Sequence, residues 1–247
     1  MPGQLEVALI DVGGTLWPNS WPFRESDGAG RRQRVAAAMS EHDRLVVEAL
    51  IDDLLRSSRP GDEARAVTTE TSGAFSAEEL ITGCLGRHGL PADAATISRI
   101  RRAMAIPIQD RFQPLPGAAE LLQTIREIGM RTVIASNTFW RDADSYWEDF
   151  RLLGMAQYID GIVTSVDAGH LKPHPAVFEM ASRQAGVPPS HCVVIGNREE
   201  NDIEPALFLG MRAILVHPDD PAPASSRAHA IAPDLFACAA VLREMAA

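Results

Sequence analysis

The sequence predicts an α/β protein: a doubly wound parallel sheet with an all-helical segment inserted near its start. Three observations lead there. From residue 114 onward, helical and strand-like segments alternate, which is the rhythm of βαβ units. The apolar run Leu5 to Asp11 (LEVALID) ends on Gly13-Gly14 and reads as a strand covered on both faces. Residues 18–113 show helical periodicity and no good strand candidate.

Taken in order, Leu5 to Asp11 is the first strand. Arg34 to Leu55 follows with apolar residues at helical spacing (Val35, Met39, Leu45, Val46, Leu50, Leu54, Leu55), and Ala77 to Leu85 and Ala94 to Met104 read as further helices. Trp17-Pro18-Asn19-Ser20-Trp21-Pro22 and Pro114-Leu115-Pro116-Gly117 punctuate the two ends of this segment. Ala118 to Ile128 is helical and Gly129 closes it; Arg131 to Ser136 (RTVIAS) is a strand. A helix near Ala143 to Leu153, a strand over Gly161 to Ser165, a helix from about Pro175 to Gln184 and the strand Cys192 to Ile195 continue the series. A helix near Glu204 to Leu209, the strand Ala213 to Val216 and a final helix over Leu235 to Met245 complete it. Pro218 to Ser226 (PDDPAPASS) reads as a surface loop. The expected units are therefore an α/β core of residues 1–17 and 114–247 and a helical domain of residues 18–113.

Composition narrows the function. The 247 residues are 46% apolar and 23% charged, which is globular composition. A net charge of -10 argues against a nucleic-acid partner, and no apolar run approaches the roughly 18 residues of a membrane span. Cys84, Cys192 and Cys238 are odd in number and far apart, fitting neither a disulfide framework nor a zinc site with paired short spacings. With no basic, long-apolar signal segment at Met1 to Val7, the expectation is a cytoplasmic protein acting on a small molecule, as a monomer or homodimer.

In a doubly wound sheet, ligands bind beyond the carboxyl ends of the strands. Four such ends carry polar residues: Asp11-Val12-Gly13-Gly14-Thr15-Leu16, Ser136-Asn137-Thr138, Lys172-Pro173 just past the third strand, and Gly196-Asn197 with Asp202 after the fourth. A carboxylate at the end of a buried strand, followed by glycines that admit substrate to the backbone, can attack a phosphoryl or carbon centre. Taken together with the segment GHLKPHPAVF and the inserted helices, these four motifs in this order resemble the haloacid dehalogenase (HAD) superfamily, over nearly the whole chain.

That resemblance implies a Rossmann-like core with a helical cap that excludes solvent and selects substrate. It implies Asp11 as nucleophile, Thr15 as its orienter, and Ser136 and Asn137, with Gly13 and Gly14, around the transferring phosphoryl group. Lys172 is implied as the cation that lowers the shared negative charge. Magnesium would be held by Asp11, the Gly13 carbonyl, Asn197 and Asp202. Two positions depart from the pattern. Gly13 stands where family phosphatases carry a second Asp that protonates the leaving oxygen; loss of such a group removes about 10²- to 10⁴-fold of rate, least for leaving groups stable as anions. Asn197 replaces the usual Asp of the fourth motif. The function implied is phosphoryl hydrolysis through an aspartyl phosphate. Metal-independent 2-haloacid dehalogenation, or a scaffold that has lost turnover and serves as a binding protein, are the alternatives.

Several other residues are open to two readings. Glu199 and Glu200 read as an exposed acidic helix start or as stand-in metal ligands. His170 and His174 flank Lys172, as loop residues or as a replacement base. Trp17, Trp21, Trp140 and Trp147 read as packing or as pocket lining, and Arg31-Arg32-Gln33-Arg34 reads as a solvated helix start.

Overall fold

A computed structural model describes residues 4–18, 28–58, 76–108, 113–217 and 225–246. It divides into two units: Met1–Ser20, Gln109–Asn137 and Asp142–Ala247 in one, Trp21–Ile108 and Thr138–Arg141 in the other. Of the sequence features named above, Asn19 to Pro22 and Pro218 to Ala224 lie outside the described residues.

The described residues of the second unit include four helices, α1 (Gly28–Ala38), α2 (Arg44–Ser57), α3 (Ala77–Arg87) and α4 (Ala94–Met104). Each of the last three starts on a side chain that accepts orphan N–H groups. Asp43 takes those of Leu45 and Val46, Ser76 forms a capping box with Glu79, and Asp93 takes that of Thr96. The expected single helical stretch from Arg34 to Leu55 is thus two helices. The Asp43 carboxylate nucleates a new helix, and the buried stripe of α2 runs through Val47, Leu50, Ile51 and Leu54 while Leu45 is exposed.

The basic cluster also differs from expectation. Arg34 Nε donates to the Ala103 carbonyl at 2.9 Å, tying α1 to α4, and Arg32 pairs with Asp52 on α2. The Arg31 guanidinium lies 5.9 Å from the Trp140 ring centroid. Arg32 and Arg34 join helices, because a guanidinium can pack its plane and stem while donating several hydrogen bonds.

The first unit holds a six-stranded parallel sheet: β1 (Val7–Ile10), β2 (Arg131–Ser136), β3 (Gly161–Thr164), β4 (Cys192–Gly196), β5 (Arg212–Val216) and β6 (Ala230–Ala232). The order is β3-β2-β1-β4-β5-β6, so the connections wind in opposite directions on either side of β1. Its helices are α5 (Ala118–Glu127), α6 (Ala143–Leu152), α7 (Ser165–Ala168), α8 (Ala176–Ala185), α9 (Glu204–Phe208) and α10 (Leu235–Ala246). The three-residue β6 was not expected from the sequence, because Ala-Ile-Ala is too short to show alternation.

Both faces of β1 are buried, as its continuous apolar run requires. Val7 and Leu9 join Val133, Ala135, Val163, Val194 and Leu215 in a core closed by Val177, Phe178 and Ala181 of α8. Ala8 and Ile10 point the opposite way and are fully buried too. Each of the valine, leucine, isoleucine and phenylalanine side chains among them contributes about 1.5–3 kcal/mol of burial. The result is a stiff central strand whose carboxyl end, Asp11, is fixed in space. Cys84, Cys192 and Cys238 are all free and buried.

Candidate active site

Asp11 follows β1 at the point where the winding of the connections reverses, between the neighbouring strands β2 and β4. Such a switch point leaves a crevice, because the chains leaving neighbouring strands turn to opposite faces. After Asp11 the chain coils tightly: the Val12 carbonyl accepts from the N–H groups of Thr15, Leu16 and Trp17, and Gly14 sits at φ 78°. Only glycine takes that left-handed angle without strain. The coil turns Thr15 back on Asp11, and its hydroxyl donates to Asp11 Oδ2 at 3.1 Å. Gly13, at the position of the missing Asp, is exposed.

Lys172 is 2% exposed. Its ammonium donates to Asp11 Oδ1 at 2.8 Å, to Asp202 Oδ1 at 2.6 Å and to the Ala135 carbonyl at 2.9 Å. An ammonium has three donors, and all three are used. Burial alone would push this lysine's pKa down. The charges of Asp11 and Asp202, with their hydrogen bonds, outweigh burial and hold it above the ordinary lysine value.

Asp202 sits at the far side of that ammonium. It lies in a five-residue π-helical turn, Glu199–Ile203, directly after β4, and its Oδ2 accepts the Arg198 N–H at 3.1 Å. Burial pushes its carboxyl up to about 6 against the pull of Lys172, with the Asp11 charge acting in the same sense as burial. Gly196 makes room for it: a Cβ there would lie 2.4 Å from Asp202 Cγ. The resemblance implies Asp202 as a metal ligand; its two oxygens accept from Lys172 and the Arg198 N–H, as those of Asp11 accept from Lys172 and Thr15.

Ser136 ends β2, the strand beside β1, and Asn137 follows it, as the motif order implies, but their side chains are turned to the protein. Ser136 Oγ lies 3.3 Å from the Tyr146 hydroxyl, whose ring packs on Trp17 at 5.4 Å. Asn137 donates from Nδ2 to the Lys172 carbonyl at 2.9 Å and accepts the Lys172 N–H at 2.7 Å. Asn197 Oδ1 is buried with no hydrogen-bond partner among the described residues.

The remaining candidates fall away from the chemistry. Glu199 accepts from Ser226 Oγ and the Arg227 N–H, a structural tie, and Glu200 is exposed. His170 and His174 are exposed and stack at 4.1 Å, and His174 Nδ1 accepts the Ala176 N–H at the start of α8. Trp17 packs on Tyr146 and Phe150, Trp140 packs edge-on against Phe139, and the Trp147 ring lies 5.9 Å from the Arg151 guanidinium.

Two features escaped the motif reading: the Tyr146 contact to Ser136, which needs tertiary structure, and a signal that was present in the composition. Of 23 basic residues, 22 are arginine and one is lysine, and that lysine is Lys172. A compact ammonium fits three converging acceptors in a buried space where a planar guanidinium does not.

A family model for haloacid dehalogenase-like hydrolases matches residues 5–210. The chain belongs to this family of hydrolases. Among curated HAD relatives, haloacid dehalogenase-like hydrolase domain-containing protein 3 of Xenopus laevis is 36% identical over 43% of this chain and 42% of its own length. Glyceraldehyde 3-phosphate phosphatase of Methanothermobacter thermautotrophicus is 34% identical over 43% of the chain and 46% of its own length. The chain thus matches less than half of either relative. The protein of the same name from Methanopyrus kandleri is 30% identical over 86% of the chain and 84% of its own length. A 2-haloacid dehalogenase structure from Pseudomonas syringae shares the fold, with a TM-score of 0.59 at 22% identity over 97% of this chain and 99% of that one. A HAD phosphatase structure from Thermococcus onnurineus does so with a TM-score of 0.57 at 16% identity, covering 96% and 98%. Among the described residues, no helix is long and apolar enough to cross a membrane.

Proposed function

We propose that this HAD-like hydrolase is a phosphatase for a small phosphorylated metabolite. The observation that carries the reading is the placement of the only lysine, buried between Asp11 and Asp202 in a chain whose other basic side chains are all arginine. The relatives named as glyceraldehyde 3-phosphate phosphatases support a small phosphate substrate, and three free cysteines support a reducing cytoplasm.

In this reading a carboxylate oxygen of Asp11 attacks phosphorus, and the bond from phosphorus to the leaving oxygen breaks. Lys172 and Thr15 fix the carboxylate so that no side chain has to reorganise as charge moves from it to the phosphoryl group and the leaving oxygen. Water then attacks the aspartyl phosphate, restoring Asp11 and releasing inorganic phosphate; the proton lost by water balances the one gained by the leaving oxygen. Because position 13 is glycine, the leaving group departs best when it is stable as an anion, as in acyl and aryl phosphates.

A magnesium ion fits the donor set. The unpartnered Asn197 Oδ1 would supply one ligand, with Asp11 and the Gly13 carbonyl as others, all oxygen donors of the kind magnesium prefers. Bound there, the ion would offset phosphoryl charge. Asp202 would serve this site through Lys172.

The test is a screen of p-nitrophenyl phosphate, acetyl phosphate, an alkyl phosphate and 2-chloropropionate, each with magnesium and with chelator, on the wild type and Asp11→Asn. Phosphate release that requires magnesium and Asp11 is the expected result. Chloride release indifferent to chelator, or a fully active Asp11→Asn protein, would overturn the reading.

A further inference from the structure

We propose that Asn137 is a positioning residue for Lys172, holding its main chain in the one register from which the ammonium meets Asp11, Asp202 and the Ala135 carbonyl together. The inference rests on the phosphatase reading of Lys172 and departs from the resemblance, which puts Asn137 at the phosphoryl group.

Both ends of the Asn137 amide are spent on a single residue 35 positions away. Oδ1 accepts the Lys172 N–H and Nδ2 donates to the Lys172 carbonyl, at 2.7 and 2.9 Å. This is how a neighbouring strand would pair with the segment, so the side chain adds one rung beyond the end of β2 and grips the loop that carries the lysine. Asn137 itself is rigidly placed, because it follows directly on β2, whose last five residues are buried.

The need for such a clasp follows from the ammonium geometry. Its three acceptors, at 2.6 to 2.9 Å, belong to the residue after β1, to β2 and to the π-helical turn that follows β4, while Lys172 belongs to a loop between α7 and α8. A shift of the loop of about 1 Å would pull the ammonium from at least one acceptor, and misplacement on that scale costs on the order of a hundredfold in rate. Asn137 ties the loop to β2, which carries the Ala135 carbonyl and lies beside the strand that ends at Asp11.

The experiment uses lysine labelled with ¹³C and ¹⁵N at its side-chain end. Lys172 is the only lysine, so the protein gives a single labelled side-chain signal. With p-nitrophenyl phosphate as substrate, Asn137→Ala is expected to lower kcat about ten- to a hundredfold with KM within about twofold. The ammonium signal shifts and its protons exchange faster. In a Lys172→Met background, Asn137→Ala has no further effect on kcat, yet it lowers Tm as much as in the wild type, since its bonds go to main-chain atoms of residue 172. An unchanged ammonium signal overturns the proposal. So does a loss that falls on KM, or one that persists in full without the lysine, because Asn137 would then meet the substrate itself. Should the wild type hydrolyse nothing, the phosphatase reading fails, and the NMR signal still decides the role of Asn137. If Asn137→Ala does not fold, Asn137→Asp keeps the acceptor, loses the donor and carries the same readouts.

Discussion

Lys172 Nζ lies closer to Asp202 Oδ1, at 2.6 Å, than to Asp11 Oδ1, at 2.8 Å. Asp11 therefore shares its cation with a second buried carboxylate, and the site holds one ammonium for two acids. Asp202 thereby fixes the far side of the ammonium, leaving Asp11 with a defined orientation and less than a full ion pair.

Replacing Lys172 tests that balance. Lys172→Met leaves two carboxylates facing each other in a buried space, and removing one partner of such a group costs about 3–5 kcal/mol. The sign of its pH dependence follows from Asp202, whose carboxyl already stands at about 6 with the lysine present. Without the ammonium it rises further, so the folded state binds more protons than the unfolded one between about pH 4 and the raised folded pKa. Stability of Lys172→Met should fall as pH rises through that window. Thermal melts at pH 5 and pH 8 should show a smaller deficit against wild type at pH 5; an equal deficit would contradict the shared-cation picture. Lys172→Arg should also lose at least about a hundredfold in kcat despite keeping the charge, because a guanidinium cannot fill the ammonium's place.

Gly196 is the floor under Asp202. A Cβ at 196 would approach Asp202 Cβ, Cγ and Oδ2 at 2.4 to 2.5 Å, closer than real contacts allow. Gly196→Ala must displace a buried acid that holds Lys172, and overpacking of this kind costs about 1–3 kcal/mol. A lowered Tm together with lost activity is expected; a protein with wild-type kcat would show that Asp202 need not stay in place.

Restoring an acid at position 13 should widen the range of leaving groups. Gly13→Asp is expected to raise turnover of an alkyl phosphate relative to p-nitrophenyl phosphate, with a ceiling of about 10²- to 10⁴-fold. The ratio of the two kcat values is the measurement, and an unchanged ratio would place proton delivery elsewhere.

Asn197→Asp should tighten magnesium. The change adds one negative charge at an oxygen that has no hydrogen-bond partner among the described residues. Titration calorimetry with magnesium chloride should show about tenfold or greater tightening, a figure set by the strength of a charge-assisted contact. An identical Kd would remove Asn197 from the ligand set.

Much of the fold was readable because short parallel strands buried on both faces leave continuous apolar runs, as in Val7–Ile10 and Cys192–Gly196. The break between α1 and α2 was not, since apolar spacing carried across it and the decisive bond is a single Asp43 cap. The strand β6 was too short to show a period. At the site, motif order brought Asp11, Thr15, Lys172 and Asp202 together, and the structure puts them in one hydrogen-bonded group. The direction of each side chain was a different matter. Nothing in the sequence says that Asn137 grips Lys172, that Ser136 meets Tyr146, or that Asp202 spends its oxygens on a lysine and a backbone N–H.

The sequence by itself determined which residues stand at the ends of the strands, because apolar runs and glycine stops are local properties of the chain. It also carries a single lysine, at position 172, with arginine at every other basic position. Only tertiary structure decided how many carboxylates that ammonium serves, and which groups hold it there. Those relationships join Asp11, Asn137, Lys172 and Asp202 across up to 191 positions of sequence. They arise when β1, β2 and β4 align, since a hydrogen bond of under 3 Å depends on three-dimensional placement that no local pattern encodes.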